Sequence, residues 1–449
     1  MLKFRSIIIS GIVVLHAFAI NAQRQWTLEE CINYAYDNNL QIQRENLKVR
    51  SAESNVLNAW FQTLPTANAF GNYTFNKGRA PNFDTYEYVD QAFEDGNVGV
   101  ESRLNLFSGL SNYFAIRQNS YNLMARLQDV ESLKNNITIS IGGSYLQILL
   151  NTELVKIAED QLAITRQQVE KNKRLVEVGN LSRGDLYEIQ AQEAKEAASV
   201  VGARNELETS YLNLIQFMDL EPSEMKLFAI VTPQLEIGDA SELRPIDSIY
   251  SDALKVMPMV KSAEYSLKGA KRGLSAARGG RFPSLSARYL YYTLYSDISV
   301  NPEDPAAPYR WQEQLQDKGY QQLSFSLEIP LFNRWNMQNQ ISQAKISMLD
   351  AKVNLDQTRQ IMYKNIQQSY NDANAALKNY EANLESVKSM EEAFSYTQEK
   401  YNVGMVSAVD YNLAKNNLIK AQSDLLQVKY EYIFYTKMLD FWAGRPLKL

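Results

Sequence analysis

Two halves of this chain are copies of one unit, so whatever fold one half adopts the other must match. At an offset of 218 residues, Ala35 meets Ala253, Ala52 meets Ala270, Pro65 meets Pro283 and Tyr73 meets Tyr291. At an offset of 225, Leu106-Phe107 meets Leu331-Phe332, and Ser144-Tyr145 meets Ser369-Tyr370. Val178-Gly179 then meets Val403-Gly404, Ser182 meets Ser407 and Asp185 meets Asp410. The offset changes once, by seven residues, between Tyr73 and Leu106, so the halves differ there by one longer loop. The reading is a tandem duplication: a first repeat over 23–220, a linker over 221–244 and a second repeat over 245–449.

Proline placement says what each repeat contains. None occurs between Pro81 and Pro222, or between Pro330 and Pro446, which leaves room for long uninterrupted helices. The spacing predicts a long helix over about 109–175, a tip turn over 176–183 and a return helix to about 219. The second copy gives a helix over 335–402, a turn over 403–407 and a return helix to about 443. Heptads support these helices: Ile141, Ile148, Val155, Leu162, Val169 and Val176 are matched by Ile366, Ala373, Tyr380, Val387, Phe394 and Tyr401. Beyond the second turn, Ala414, Leu418, Ala421, Leu425, Val428, Tyr432, Tyr435 and Leu439 continue the seam. A second stripe, Ser144, Asn151, Ala158, Thr165 and Asn172, is small and polar, and is expected to pack closely beside water.

Four strands remain, over about 66–76, 98–107, 284–295 and 320–332. Ala67, Ala69, Gly71, Tyr73 and Phe75 alternate with polar neighbours, as do Leu323, Phe325, Leu327, Ile329 and Leu331. Val98, Val100, Leu104 and Leu106 do the same, and the strand at 284–295 is dense in tyrosine. Lengths near ten residues with one apolar face suit membrane-barrel strands, with tyrosines where an interfacial girdle would sit. Four strands cannot close a barrel, since about eight are the minimum, so such a chain must oligomerise; three copies give twelve strands. The connecting segments 77–97 and 296–319, rich in Pro, Asp, Glu and Asn, are expected to be outward-facing loops.

Residues 1–22 read as a cleaved secretory leader: Lys3 and Arg5, an apolar run from Ile7 to Ile20, then Asn21-Ala22. Its removal takes away His16, the sole histidine, and moves the formal charge from −5 to −7. Histidine-based hydrolysis and His-ligated zinc are thereby excluded, and no cofactor is called for. The acidic balance gives no reason to expect nucleic acid. Cys31, the only cysteine, reads as a small buried hydrophobe.

The opening Thr27-Leu28-Glu29-Glu30-Cys31-Ile32-Asn33-Tyr34-Ala35 with Asn38-Asn39 resembles the N-terminal signature of the TolC-type outer-membrane efflux proteins. Leu104-Asn105-Leu106-Phe107 and Ile329-Pro330-Leu331-Phe332 resemble the family's exits from the second strand of each hairpin. Val178-Gly179-Asn180-Leu181-Ser182 and Val403-Gly404-Met405-Val406-Ser407 resemble its periplasmic tips. The resemblance spans nearly the whole chain. It implies an α+β membrane protein: a trimeric twelve-stranded transmembrane β-barrel continued by a long α-helical coiled-coil periplasmic barrel, and not an enzyme. It also implies a homotrimer in outer-membrane lipids, a periplasmic membrane-fusion adaptor and an inner-membrane transporter of RND or ABC type. The chain would then be a passive exit channel for efflux or type I secretion.

The tip turns hold the candidate functional residues. Gly179 and Gly404 can reverse the chain, and Ser182 and Ser407 can cap the returning helices. Asp185 and Asp410 fall in the first helical turn, where a negative charge is favourable. Asp410 also matches a family position that points into the pore, where three copies make an acidic ring. Two departures stand out: Leu413 replaces a second acid, and Val406 replaces an arginine that locks the gate in the best-known member. Closure by the coiled-coil seams is therefore the expectation, with Arg183 and Lys173 as alternative partners for Asp185. A cell-surface coiled-coil adhesin or structural stalk would share the leader and heptads, but would not need alternating strands in both halves.

Overall fold

A computed structural model describes residues 25–81, 87–225, 227–233, 235, 237 and 243–449. The leader expected over 1–22 and part of the 221–244 linker lie outside them. The first repeat runs β1 (Gln25–Trp26), α1 (Leu28–Asn38), α2 (Leu40–Phe61), β2 (Thr66–Pro81), β3 (Tyr88–Ser108), α3 (Ser111–Glu177) and α4 (Arg183–Met218). A short α5 (Pro222–Met225) and β4 (Ala229–Ile230) follow. The second repeat runs α6 (Ile246–Val256), α7 (Pro258–Gly279), β5 (Ser284–Ser296), α8 (Trp311–Asp317), β6 (Tyr320–Glu328), α9 (Asn336–Asn402) and α10 (Ala408–Trp442). Three pairs of equivalent helices have equal lengths, 11 residues for α1 and α6, 22 for α2 and α7 and 67 for α3 and α9, and α4 and α10 have 36 and 35. At 1.5 Å per residue, each 67-residue helix is ~100 Å long.

The turn from sheet to long helix also repeats at the level of backbone angles. Gly109-Leu110 and Arg334-Trp335, 225 residues apart, all have positive φ, between 55° and 66°. In the first copy a side chain at position 109 is impossible, because a Cβ on Gly109 would lie 2.0 Å from the Gly279 carbonyl oxygen. The second copy holds Arg334 and Trp335 in the same left-handed region, at a cost of order 1–2 kcal/mol each.

Two compact units result. One combines Leu47–Leu127 with Lys261–Asp356 and carries a four-stranded antiparallel sheet in the order β2-β3-β5-β6. Its pairing separates two faces. Ala67, Ala69, Tyr73, Phe75, Val98, Val100, Leu104, Tyr289, Tyr291, Tyr295, Leu323, Phe325 and Leu327 share one face by register. Most of these are exposed, Phe75, Leu323, Phe325 and Leu327 by more than 60%. The other face is mixed: Glu101 bridges Arg103 at 2.9 Å and Arg288 at 2.8 Å, and Asn72 donates to Asn97 at 2.9 Å, beside Phe70, Leu290, Tyr292 and Leu294. A bulge between Asn105 and Phe107 places Phe107, rather than Leu106, opposite Leu285. Among the described residues, β2 and β6 each pair on one side only.

The strands depart from the expected limits. Of the segment read as a loop over 77–97, residues 77–81 and 88–97 are strand, and 82–86 lie outside the described residues. The hairpin partners Lys77 with Ala92 and Arg79 with Asp90, so backbone pairing continues where the side chains no longer alternate. The segment 296–319 contains the helix α8, and β6 stops at Glu328, before Pro330 can interrupt the ladder.

The second unit combines the residues up to Asn46 with Gln128–Val260 and Gln357–Leu449. β1 and β4 form a two-residue parallel pair, closed by Trp26 against Tyr34 and Phe228 at ring distances of 5.3 and 5.7 Å. The Tyr145 hydroxyl donates to the Val231 carbonyl at 2.6 Å, tying α3 to this pair. The heptad seam is the core: Ile141, Ile148, Val155, Leu162 and Val169 on α3, and Ile366, Ala373 and Val387 on α9, are buried. Cys31 is fully buried, and burial pushes its thiol pKa up to about 12. The polar stripe does not face water as expected. Asn151, Thr165 and Asn172 are buried too, because other helices supply hydrogen-bond partners for each.

Candidate functional site

The two tip turns have the same construction. α3 ends with Gly179 at φ 80°, where Asn180 N–H donates to the Leu175 carbonyl and Gly179 N–H to the Val176 carbonyl. α9 ends with Gly404 at φ 75°, where Met405 N–H donates to Lys400 and Gly404 N–H to Tyr401. This double bonding pattern is a Schellman stop, and it needs a residue that tolerates the left-handed region. Three residues on, Ser182 and Ser407 cap α4 and α10, accepting from the Asp185 and Asp410 amides at 3.2 and 3.1 Å. Each serine hydroxyl donates to the carboxylate of the same aspartate at 2.8 Å.

Asp185 and Asp410 therefore serve as helix-start residues in one protomer. Neither forms an ion pair among the described residues, with Arg183, Lys173 or any other cation; each carboxylate bonds its own cap serine. The links between the first and second tips come from other side chains. Lys171 donates to the Asn402 side chain at 2.9 Å, and Asn172 donates to the Tyr401 hydroxyl at 3.1 Å. The Tyr401 ring stacks on Tyr411 at 4.7 Å, and Phe394 packs on Tyr411 at 5.5 Å. Val403, Met405, Val409 and Leu413 remain exposed around the second turn.

Behind the tips lies a buried ionic cluster. Lys415 of α10 is 2% exposed and reaches Glu196 of α4 at 3.0 Å. It also donates to the Thr165 hydroxyl and to the Gln161 carbonyl, both on α3. Glu196 in turn accepts from Thr165 at 2.6 Å and from Gln192 at 2.8 Å. Burial pulls the Lys415 pKa below its ordinary value, opposed by the Glu196 carboxylate. With all three ammonium donors used, the pair meets the condition under which a buried ion pair is tolerated, and it fixes one helical hairpin against the other. The seam reading passed over it, favouring Ala414, which is half-buried, over its neighbour. The available signal was the stripe Tyr411, Lys415, Leu418, a four-then-three spacing with a lysine in it.

No group of three or more His, Cys, Asp or Glu side chains that could hold a metal occurs among the described residues. No helix among them is long and apolar enough to cross a membrane, which leaves the exposed face of the sheet as the apolar surface to account for.

The model of the outer membrane efflux protein family matches residues 31–218 and 249–439, one match in each repeat. The outer membrane efflux protein BepC of Brucella suis is 21% identical over 98% of this chain and 89% of its own length. The outer membrane protein TolC of Vibrio cholerae is 23% identical over 90% of this chain and 88% of its own. Among solved structures, the outer membrane protein VceC of Vibrio cholerae superposes with a TM-score of 0.77 at 14% identity, covering 94% of this chain and 97% of that one. The Campylobacter jejuni CmeC outer membrane channel gives a TM-score of 0.77 at 16% identity, covering 94% and 87%.

Proposed function

This chain belongs to the outer membrane efflux protein family, and from that premise we propose that three copies close their sheets into one twelve-stranded barrel through which substrates leave the cell. It is an outer-membrane exit channel, and its relatives' names include both efflux proteins and an alkaline protease secretion protein. The observation that carries the trimeric reading is the sheet: β2 and β6 are open edges, and one face is apolar and exposed. In lipid, unpaired strand edges are too costly to persist, so edge-to-edge closure by copies of the same chain is the simplest remedy. A stripe on α9, Ile346, Leu349 and Val353 at three- and four-residue spacing, is exposed in one protomer and supplies apolar surface for a neighbouring copy.

The opposite face then lines the lumen, with the charged network of Glu101, Arg103 and Arg288 along it. The helical hairpins extend into the periplasm. There the exposed Val403, Met405, Val409 and Leu413 offer an apolar tip to a membrane-fusion adaptor that links the channel to an RND or ABC transporter. Transport energy comes from that transporter, so the channel itself is passive.

At the tip, three copies of Asp410 would form an acidic ring around the narrow end, attracting cations. Planar-bilayer recording of the purified protein tests the pore and the ring together. The wild type is expected to conduct and to be blocked by multivalent cations from the tip side. Asp410→Asn keeps the Ser407 cap and is expected to weaken that block roughly tenfold with trimer yield unchanged. Unchanged block reduces Asp410 to a helix-start residue, and absence of conducting pores contradicts the channel.

A further inference from the structure

The sheet has a feature that barrel closure does not use: the helix α8 lies on its apolar side at the end of the strands farthest from the helices. The Thr293 hydroxyl, on the same face as Val98 and Tyr295, donates to the Leu315 carbonyl at 2.9 Å. Beyond Tyr292, β5 has no β6 partner, and α8 takes over the vacant place. The buried side chain of Gln314 donates to the Ser296 carbonyl and accepts from the Ser296 amide, both at 2.9 Å, as a neighbouring strand would. Gln314 also donates to the Tyr309 carbonyl at 2.9 Å, bracing the segment that leads into α8.

α8 is amphipathic. Trp311, Gln314 and Leu315 fall on the side turned to the sheet and the notch, while Gln312, Glu313, Gln316 and Asp317 are on the other. Trp311 and Leu315 line a notch of about 320 Å³ with Tyr73, Gly96, Val98 and Tyr295. Gly96 keeps its floor open, since a Cβ there would press on the Tyr73 ring at 3.3 Å. Trp311 is nonetheless 55% exposed, an apolar ring that the fold positions and then leaves uncovered.

The height of this notch identifies what covers it. Along β5 the apolar face runs from Leu285 to Tyr295, ten steps of ~3.3 Å, or ~25 Å across the bilayer once tilted by about 40°. That is the full thickness of a barrel's apolar band, so Tyr73, Tyr295 and Trp311 stand at its outer boundary, where ring side chains with one polar edge are favoured. We propose that α8 is an interfacial helix seated in the outer leaflet, and that its notch takes an acyl chain of an outer-leaflet lipid. The inference rests on the reading of the apolar face as the membrane face. It goes beyond that reading, since the segment was expected to be a solvated loop and its polar flanks alone would suit water.

The test uses the full-length protein reconstituted in bilayers whose lipids carry bromine on the acyl chains. The Trp311 signal is the difference between wild type and Trp311→Phe, and it is expected to fall about twofold in brominated bilayers while aqueous iodide leaves it unchanged. A reporter at mid-sheet, Phe325→Trp in the Trp311→Phe background, separates the two claims. If iodide quenches Trp311 while bromolipid quenches only the mid-sheet reporter, α8 stands in water and the inference is overturned with the barrel intact. If bromolipid quenches neither, the apolar face is not in the membrane, and both fall together.

Discussion

Lys415 illustrates how a single side chain can be structurally decisive and still look ordinary in a sequence. Its ammonium has three acceptors, Glu196, Thr165 and Gln161, and almost no solvent contact. Lys415→Met leaves the Glu196 carboxylate buried and unpaired, and is expected to cost about 3–5 kcal/mol, seen as a lower melting temperature of the helical circular dichroism. Lys415→Met combined with Glu196→Leu removes both charges and is expected to recover most of that loss; a double variant as unstable as the single one would refute the pairing. A lysine on a helix normally reads as solvated, and its partner lies 219 residues away, so no local pattern exposes the pair. Cys31 is the contrasting case, legible at once as a small buried hydrophobe. Its folded pKa is raised from 9.0 to about 12, so its contribution to stability is complete below pH 9 and is lost as pH rises toward 12. Over that window wild type should lose at most about 1.4 kcal/mol per pH unit more than Cys31→Ala. The buried Tyr145 and Tyr430, also pushed up by burial, act in the same direction in both proteins. Identical alkaline melting of the two would show that Cys31 ionises freely in the fold.

At the scale of elements, the long helices were the easiest to read and the sheet the hardest. Proline-free length and heptads are properties of one segment, and Ile141, Ile148, Val155, Leu162 and Val169 are buried as that periodicity requires. The polar stripe of Asn151, Thr165 and Asn172 carries no such information, because whether it meets water or another helix depends on what packs opposite. In the sheet, residues beyond Asn76 and before Val98 read as loop because Gly78, Pro81, Asp90 and Asp95 interrupt alternation. Backbone pairing in a two-stranded hairpin does not need that alternation once both faces are wet. The bulge at Asn105–Phe107 is likewise invisible to a strict period of two. The seam gives a prediction at this scale. Val169 is buried and Phe394 packs on Tyr411, so Val169→Asp with Phe394→Asp buries charge on both hairpins and should part them near the tips. Single-channel conductance is expected to rise severalfold; conductance equal to wild type would mean these faces do not hold the tip.

For the whole molecule, the described residues form a four-stranded sheet with two open edges and an exposed apolar face, and the trimer proposed above is what completes it. The duplication explains how it reaches even four strands, since each repeat contributes one hairpin and one pair of long helices. That arithmetic follows from the residues themselves, whereas the copy number rests on the family resemblance, because closure depends on strand tilt and stagger between chains rather than on residues within one. Electron microscopy of the protein extracted from outer membranes in detergent addresses this directly. A threefold particle with a continuous lumen running from a barrel into a helical stalk more than ~100 Å long is expected. A monomeric particle, or a stalk without a lumen, would contradict the trimeric channel.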